Sequence, residues 1–345
     1  AESIVEQVVQ AGLQEGSPGW SEETLVLAPR WSPSGERLAY IEDPRENDRQ
    51  LVIRDETQEL LRVRTNGGEG GFSPDERTYV AELRDVHALR FSYGDLELID
   101  VATGRRSRRT RGARLKAPDV SRNNIIVAQQ QGQGQTWLAT MRLHGEDEPQ
   151  RFGQLELGEQ GFDPRWSPDG RFVVASVSSP KTGARQLVSF RYPDGQRRTL
   201  ACAQERCFQP VFSDNGDWLY FTSDRGGIFN QWRLHLIDGR REQLTRVRTG
   251  TYFAAPRPHH DEFHFVLATS TGWRLQQRSL TALTASRSAL AEARPEPRPR
   301  GQTKDALQDR ALSTYDEPYE AWETLLPKAW RPMLSEDGQG TTLGL

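Results

Sequence analysis

Pro164-Arg165-Trp166-Ser167-Pro168-Asp169-Gly170, followed by Arg171-Phe172-Val173-Val174, is the stretch that decides the fold. It reads as an extended strand ending at Trp166, a tight turn, and a short apolar strand. Proline fixes φ in such a turn, aspartate bonds the backbone, and glycine supplies positive φ. The same phrase stands at Pro29-Arg30-Trp31-Ser32-Pro33-Ser34-Gly35, followed by Arg37-Leu38-Ala39-Tyr40. Four degenerate copies keep its shape. Gly71-Phe72-Ser73-Pro74-Asp75 leads into Thr78-Tyr79-Val80, and Pro118-Asp119-Val120-Ser121 into Ile125-Ile126-Val127. Pro210-Val211-Phe212-Ser213-Asp214-Asn215-Gly216 leads into Trp218-Leu219-Tyr220-Phe221, and Pro256-Arg257-Pro258-His259-His260-Asp261 into Phe263-His264-Phe265-Val266. The aligned positions are 32, 73, 121, 167, 213 and 259, a repeat of 41 to 48 residues.

A period of about 40–50 residues with several short strands per unit predicts a β-propeller. Each unit continues with a polar-alternating strand such as Asp95–Val101 or Gln231–Ile237. A glycine turn and a polar outer strand such as Arg197–Leu200 or Arg241–Thr245 follow. One four-stranded sheet cannot bury both faces alone; six stacked around an axis can. The fold expectation is therefore all-β: a six-bladed propeller of four-stranded blades over residues 26–281.

Composition narrows the function classes. The chain has 345 residues, 35% hydrophobic and 27% charged, with mean hydropathy −0.74. No run approaches the ~20 apolar residues of a membrane-spanning helix. The net charge of −3 supplies no global field toward nucleic acid. Lys116, Lys181, Lys304 and Lys328 are its lysines; the other basic residues are arginines. The two cysteines, Cys202 and Cys207, form a local pair that reads as a small-loop disulfide suited to an oxidising compartment. Two unpaired thiols are the alternative, and a zinc site lacks further ligands nearby in sequence.

The Trp-Ser-Pro-Asp-Gly turn, with the segment Phe221-Thr222-Ser223-Asp224-Arg225-Gly226, resembles the WD40-like repeat of TolB-type propellers. The flanks differ from the repeat. Residues 1–25 carry Ile4, Val5, Val8 and Val9, a stripe suited to a short helix or to a strand closing the ring. Residues 282–312 read as a Pro/Arg-rich extended linker. An aromatic tail occupies 313–345. Its Tyr319, Trp322, Leu325, Pro327, Trp330 and Pro332 resemble the segment joining a TolB-like propeller to an outer-membrane β-barrel of the BamA/TamA surface-antigen type. Thr342-Leu343-Gly344-Leu345 fits the start of a barrel strand. The chain is then either part of a longer product or a stand-alone relative.

Catalytic constellations are weak. No Gly-x-Ser-x-Gly elbow of a serine peptidase occurs. His260-Asp261-Glu262-Phe263-His264 has its glutamate misplaced for a zincin, and the repeat sets it on a turn and strand, with His260 and His264 on one strand face. Arg105, Arg106, Arg108, Arg109, Arg111 and Arg114 fall on the outer strand of blade two and the loop beyond it, and read as a solvated face. Asp169, Asp214 and Asp224 read as turn caps rather than calcium ligands. Gln129, Gln130, Gln131, Gln133 and Gln135 read as an exposed loop.

The resemblance and the missing catalytic motifs imply a non-catalytic protein-interaction platform. No catalytic residue, metal or cofactor is assigned, and no nucleic-acid partner. Tyr319, Trp322 and Trp330 are the expected anchors to an outer-membrane or periplasmic protein partner, with a peripheral membrane contact through the same tail. The expected location is the periplasm, in association with the outer membrane. Two alternatives stand: a lid or substrate-gating domain of a hydrolase whose catalytic part lies elsewhere, and a carbohydrate- or peptide-binding sensor.

Overall fold

The computed structural model describes residues 24–44, 48–87, 91–132, 134–270 and 272–284, and the backbone of 333–337 and 340–344. The chain divides into two units, Ala1–Glu292 and Ala293–Leu345.

The first unit is a propeller of six blades. Blade one holds β1 (Thr24–Trp31), β2 (Leu38–Pro44), β3 (Gln50–Arg54) and β4 (Glu59–Arg64). Blade two holds β5 (Gly70–Phe72), β6 (Thr78–His87), β7 (Phe91–Asp100) and β8 (Arg106–Arg108). Blade three holds β9 (Leu115–Val120), β10 (Ile125–Gly132), β11 (Gln135–Arg142) and β12 (Gln150–Phe152). Blade four holds β13 (Gln160–Trp166), β14 (Phe172–Ser178), β15 (Arg185–Arg191) and β16 (Arg197–Ala201). Blade five holds β17 (Cys207–Phe212), β18 (Trp218–Ser223), β19 (Asn230–His235) and β20 (Arg241–Gln243). Blade six holds β21 (Thr251–Pro256), β22 (Glu262–Thr269) and β23 (Gly272–Ser279), three strands among the described residues. Every sheet is an antiparallel meander in chain order. In the second unit β24 (Met333–Asp337) and β25 (Gly340–Gly344) form a two-stranded hairpin. The expected N-terminal helix or strand, and Tyr319, Trp322 and Trp330, lie outside the described residues.

Side-chain alternation builds the ring. Val173 and Ala175 of β14 pack against blade three, with Val127, Leu138 and Phe152. Their neighbour Val174 points the other way, into blade five, with Leu219 and Phe221. Successive strand residues face opposite sides of a sheet, so one apolar run serves two interfaces. Six such clusters occur, one per interface; Val26, Tyr40 and Val52 of blade one meet Val266 and Leu275 of blade six. Each fully buried Leu, Val or Phe contributes roughly 1.5–3 kcal/mol.

The repeated turn explains the repeated serine. Ser167 N–H donates to Phe172 O at 2.8 Å, its hydroxyl donates to Asp169 Oδ1 at 2.6 Å, and it accepts Phe172 N–H at 2.9 Å. Ser32, Ser73, Ser121 and Ser213 make the corresponding turn. The sixth turn corrects the sequence alignment. Arg257, not His259, takes the serine position: Arg257 N–H donates to Glu262 O at 2.9 Å. His260 therefore sits in the turn, and only His264 lies on β22.

Arg257 closes the ring. Its Nε donates to Gly35 O in the first turn at 2.7 Å, and its Nη1 reaches Glu262 at 3.1 Å and Glu56 at 2.6 Å. Its guanidinium lies over the Trp31 ring, 4.7 Å from the centroid. Gly35 has φ +77°, and a Cβ there would stand 2.5 Å from Pro258 O, so the first and sixth turns meet only with glycine at this position.

Candidate functional site

The inner strands share a second repeated feature. Ala28, Ala117, Asp163, Gln209 and Phe253 all have positive φ, between 48° and 56°. Each lies four residues before its turn anchor, at a β-bulge where pairing with the next strand shifts register. Left-handed backbone at non-glycine residues is strained and persists only where surrounding structure enforces it. The bulges bend the inner strands around the central axis.

Charged side chains fill that axis. Arg165 of blade four forms an ion pair with Glu69, ahead of β5, and its Nη1 donates to Ala117 O of blade three at 3.3 Å. Asp119 Oδ2 accepts Trp166 N–H at 2.8 Å. Arg30 lies beside them, and among the described residues its guanidinium makes no hydrogen bond or ion pair. Burial and the charge of Arg165 push its pKa below the ordinary arginine value, against the pull of Asp119 and Glu69. For Arg165 burial acts downward, yet Glu69, Asp119 and Asp163 together carry its pKa upward. The space left between Ala28, Arg30, Glu69, Arg165, Gln209 and Phe253 is about 10 Å³, room for a single water. Among the described residues, these side chains plug the axis at this level.

At the mouth opposite the turns lies an arc of half-buried aromatics. Phe162, Phe208 and Tyr252 occupy one position, immediately before the bulge, in blades four, five and six. Phe229 bridges two of them, with centroids 5.0 Å from Phe208 and 5.7 Å from Tyr252. Trp273 stacks on Tyr252 at 4.9 Å and 2°. In blades one to three the same position holds Leu27, Gly68 and Lys116. Arg206 lies over Phe229 and pairs with Asp224 at 2.8 Å. Arg185 lies over Phe162 at 4.0 Å and approaches Phe208 at 5.7 Å. Cys202 and Cys207 form a disulfide that clips the loop entering β17 beside this arc.

The other residues marked by sequence fall elsewhere. Of the six arginines of blade two and the loop beyond it, Arg105 and Arg111 are exposed as expected, Arg114 bonds the Tyr93 hydroxyl, and three are held in ion pairs: Arg106 with Glu97, Arg108 with Asp85 and Asp95, Arg109 with Asp147. Gln129 is buried, and Gln130 accepts the Trp137 indole N–H at 2.8 Å and donates to Ala113 O, so these two glutamines are structural rather than exposed. Asp169 caps its turn as expected, and Asp224 accepts Arg206 N–H at 2.8 Å. His259 Nδ1 meets Asp214 at 3.0 Å, and His260 Nδ1 meets Pro258 O at 2.8 Å. His264 is buried against the Trp31 edge at 5.1 Å. Among the described residues, one group brings three metal-type donors together, Cys202, Glu205 and Cys207, and its sulfurs are consumed by the disulfide. No described helix is long and apolar enough to cross a membrane.

The sequence reading missed the arc. Its signal was present: an aromatic five residues before the turn anchor in three consecutive repeats.

No family model matches the chain. A stretch of 102 residues is 29% identical to the uncharacterized protein Atu1656 of Agrobacterium fabrum, covering 29% of this chain and 34% of that protein. Among solved structures, TolB from Acinetobacter baumannii superposes with TM-score 0.55 at 16% identity, over 75% of this chain and 61% of that one. The two chains share the propeller fold. An oligogalacturonate lyase in complex with manganese gives 0.53 at 12% identity, over 76% of this chain and 93% of that one. The propeller domain of the trilobed protease from Pyrococcus furiosus gives 0.51 at 13%, over 74% and 97%. The chain thus spans about a third of the curated relative's length and 61% of the TolB chain. At these identities the likeness is one of fold.

Proposed function

We propose that this propeller is a non-catalytic binding module of the bacterial envelope that holds a partner polypeptide across the mouth of blades four to six. The observation that carries the reading is the arc Phe162, Phe208, Phe229, Tyr252 and Trp273, half-exposed over a plugged channel. Aromatic and arginine anchors dominate protein interfaces. The plug favours docking over gating, because passing a substrate chain needs far more than about 10 Å³. The disulfide supports an oxidising compartment, the periplasm. In this proposal the tail residues Tyr319, Trp322 and Trp330 tether the chain to an outer-membrane barrel or complex.

The test is photo-cross-linking in the native envelope. A benzophenone amino acid replaces Ile228, exposed beside Phe229, or Ile237, exposed at the turn end of blade five. One discrete adduct from position 228 and none from 237 is the expected outcome, with the adduct lost in the Phe208→Ala/Phe229→Ala protein. Adducts from 237 alone, or none at 228, overturn the reading.

A further inference from the structure

Arg185 stands out from the other arginines of the mouth. It opens β15, and its backbone N–H donates to Glu205 O at 3.2 Å. Its guanidinium packs between blades four and five, on Phe162 and toward Phe208. Among the described residues that guanidinium donates no hydrogen bond and forms no ion pair, and its Nε is buried without a partner. Arg206 beside it is neutralised by Asp224. The carboxylate that acts on Arg185 is Asp163, whose Oδ2 accepts Gln209 N–H at 3.2 Å.

A half-buried guanidinium whose Nε–H is buried and unmet is costly to leave so, and its planar fork matches a carboxylate. Aromatic faces hold the cation in place without consuming its N–H groups. Arg30 is the other arginine here without a bonded partner, but the space around it takes no more than one water. Arg185 lies instead among the half-exposed rings of the mouth.

We infer that Arg185 is a carboxylate receptor: it takes an acidic side chain or C-terminal carboxylate of the bound polypeptide, while an adjacent apolar or aromatic side chain of that polypeptide lies on Phe208 and Phe229. This rests on the reading of the mouth as a polypeptide-binding surface. Asp163 does not fill the role internally. Among the described residues it forms no ion pair with Arg185, its Oδ2 accepts the Gln209 N–H, and burial, followed by the charge of Glu69, raises its pKa.

The probe is 3-phenylpropionate, which carries one carboxylate and one ring, against the uncharged 3-phenylpropanamide. Each is titrated into the isotope-labelled full chain, and the Arg185 Nε–Hε and Trp273 indole resonances are followed. Both resonances move with the acid, and the amide binds about tenfold more weakly, as for loss of a charge-assisted hydrogen bond. In Arg185→Gln the preference for the acid disappears; in Arg185→Lys part of it stays. Equal binding of acid and amide overturns the inference, and so does an acid preference unchanged in Arg185→Gln. If Arg185→Gln fails to fold, the comparison of the two probes on the native protein decides. Cross-linking from position 228 separates the two levels. An adduct undiminished in a folded Arg185→Gln protein sinks the carboxylate role and leaves the binding surface standing, whereas no adduct in the unsubstituted background sinks the surface itself.

Discussion

The two ends of each inner strand carry one repeated position apiece, and the two positions behave differently. At the turn end, five blades place a serine and the sixth places Arg257, and every one is spent on the fold: hydroxyl on backbone, or guanidinium on Gly35 O, Glu56 and Glu262. At the mouth end the position five residues before the turn anchor holds Leu27, Gly68, Lys116, Phe162, Phe208 and Tyr252. The chemistry there changes from blade to blade, and in three consecutive blades it leaves ring faces half-exposed. Arg257 and Arg185 show the contrast within one residue type. Both lie on an aromatic ring, at 4.7 and 4.0 Å. The first has its donors met and the second does not. A position that repeats with one chemistry is closing the scaffold; a position that repeats in geometry but not in chemistry is where a binding surface can differentiate.

The largest effect expected from this comparison is at Arg257. Arg257→Ala removes a charge-assisted hydrogen bond and a desolvated cation–π contact at the ring closure. Together these cost about 4 kcal/mol, read as a fall in urea midpoint at unchanged slope. Arg185→Gln in the same assay costs under about 1 kcal/mol, because no hydrogen bond is lost. Equal losses at the two arginines would erase the distinction between the ends.

Much of this was legible in the sequence, for physical reasons specific to each part. The serine turns were legible because the turn needs particular residues: Pro for φ, Asp or Asn to bond the backbone, Gly for positive φ. The sixth turn misled because Pro256-Arg257 mimics Pro29-Arg30, yet Arg257 is structurally the counterpart of Ser32 and replaces its hydroxyl with a longer reach. The bulges were not legible. Ala28, Ala117, Asp163, Gln209 and Phe253 share a backbone conformation imposed by ring curvature and no side-chain property. The plug was invisible for a related reason, since Glu69, Asp119 and Arg165 meet across three blades and are far apart in the chain.

The next effect is titration at the closure. His264 is buried, its Nδ1 lacks a partner among the described residues, and Arg257 lies nearby; burial first, then that cation, lowers its pKa from the ordinary 6.5 to about 4. The folded protein therefore resists protonation that the unfolded chain accepts. This stability is complete above pH 6.5 and is lost as pH falls toward 4, by about 3 kcal/mol in all. Glu82 and Asp163, whose pKa values are raised chiefly by burial, act with the opposite sign. The measurement is therefore the difference in unfolding free energy between the protein and His264→Phe, followed from pH 7 to pH 4. A difference that stays flat across that window means His264 is not held neutral at the closure.

The smallest of the three effects brings the comparison back to the mouth. Cys202 and Cys207 are five positions apart and both wholly buried, with Cys202 at φ 72°, so the bond clips a tight, left-handed loop between blades four and five. Closing so short a loop removes little freedom from the unfolded chain, and Cys202→Ser/Cys207→Ser should cost about 2 kcal/mol. The loop it releases also carries Glu205, paired with Arg241 at 2.7 Å, and Arg206, whose N–H donates to Asp224. Those contacts keep the blades registered, so the loss should stay near that of the closed loop alone. The position of Phe208, one residue beyond Cys207, should loosen more than stability does. The acid preference of the mouth should then weaken while the urea midpoint falls only modestly. A loss as large as that of Arg257→Ala would show instead that the mouth holds the ring together just as the turns do, and the two ends would no longer differ.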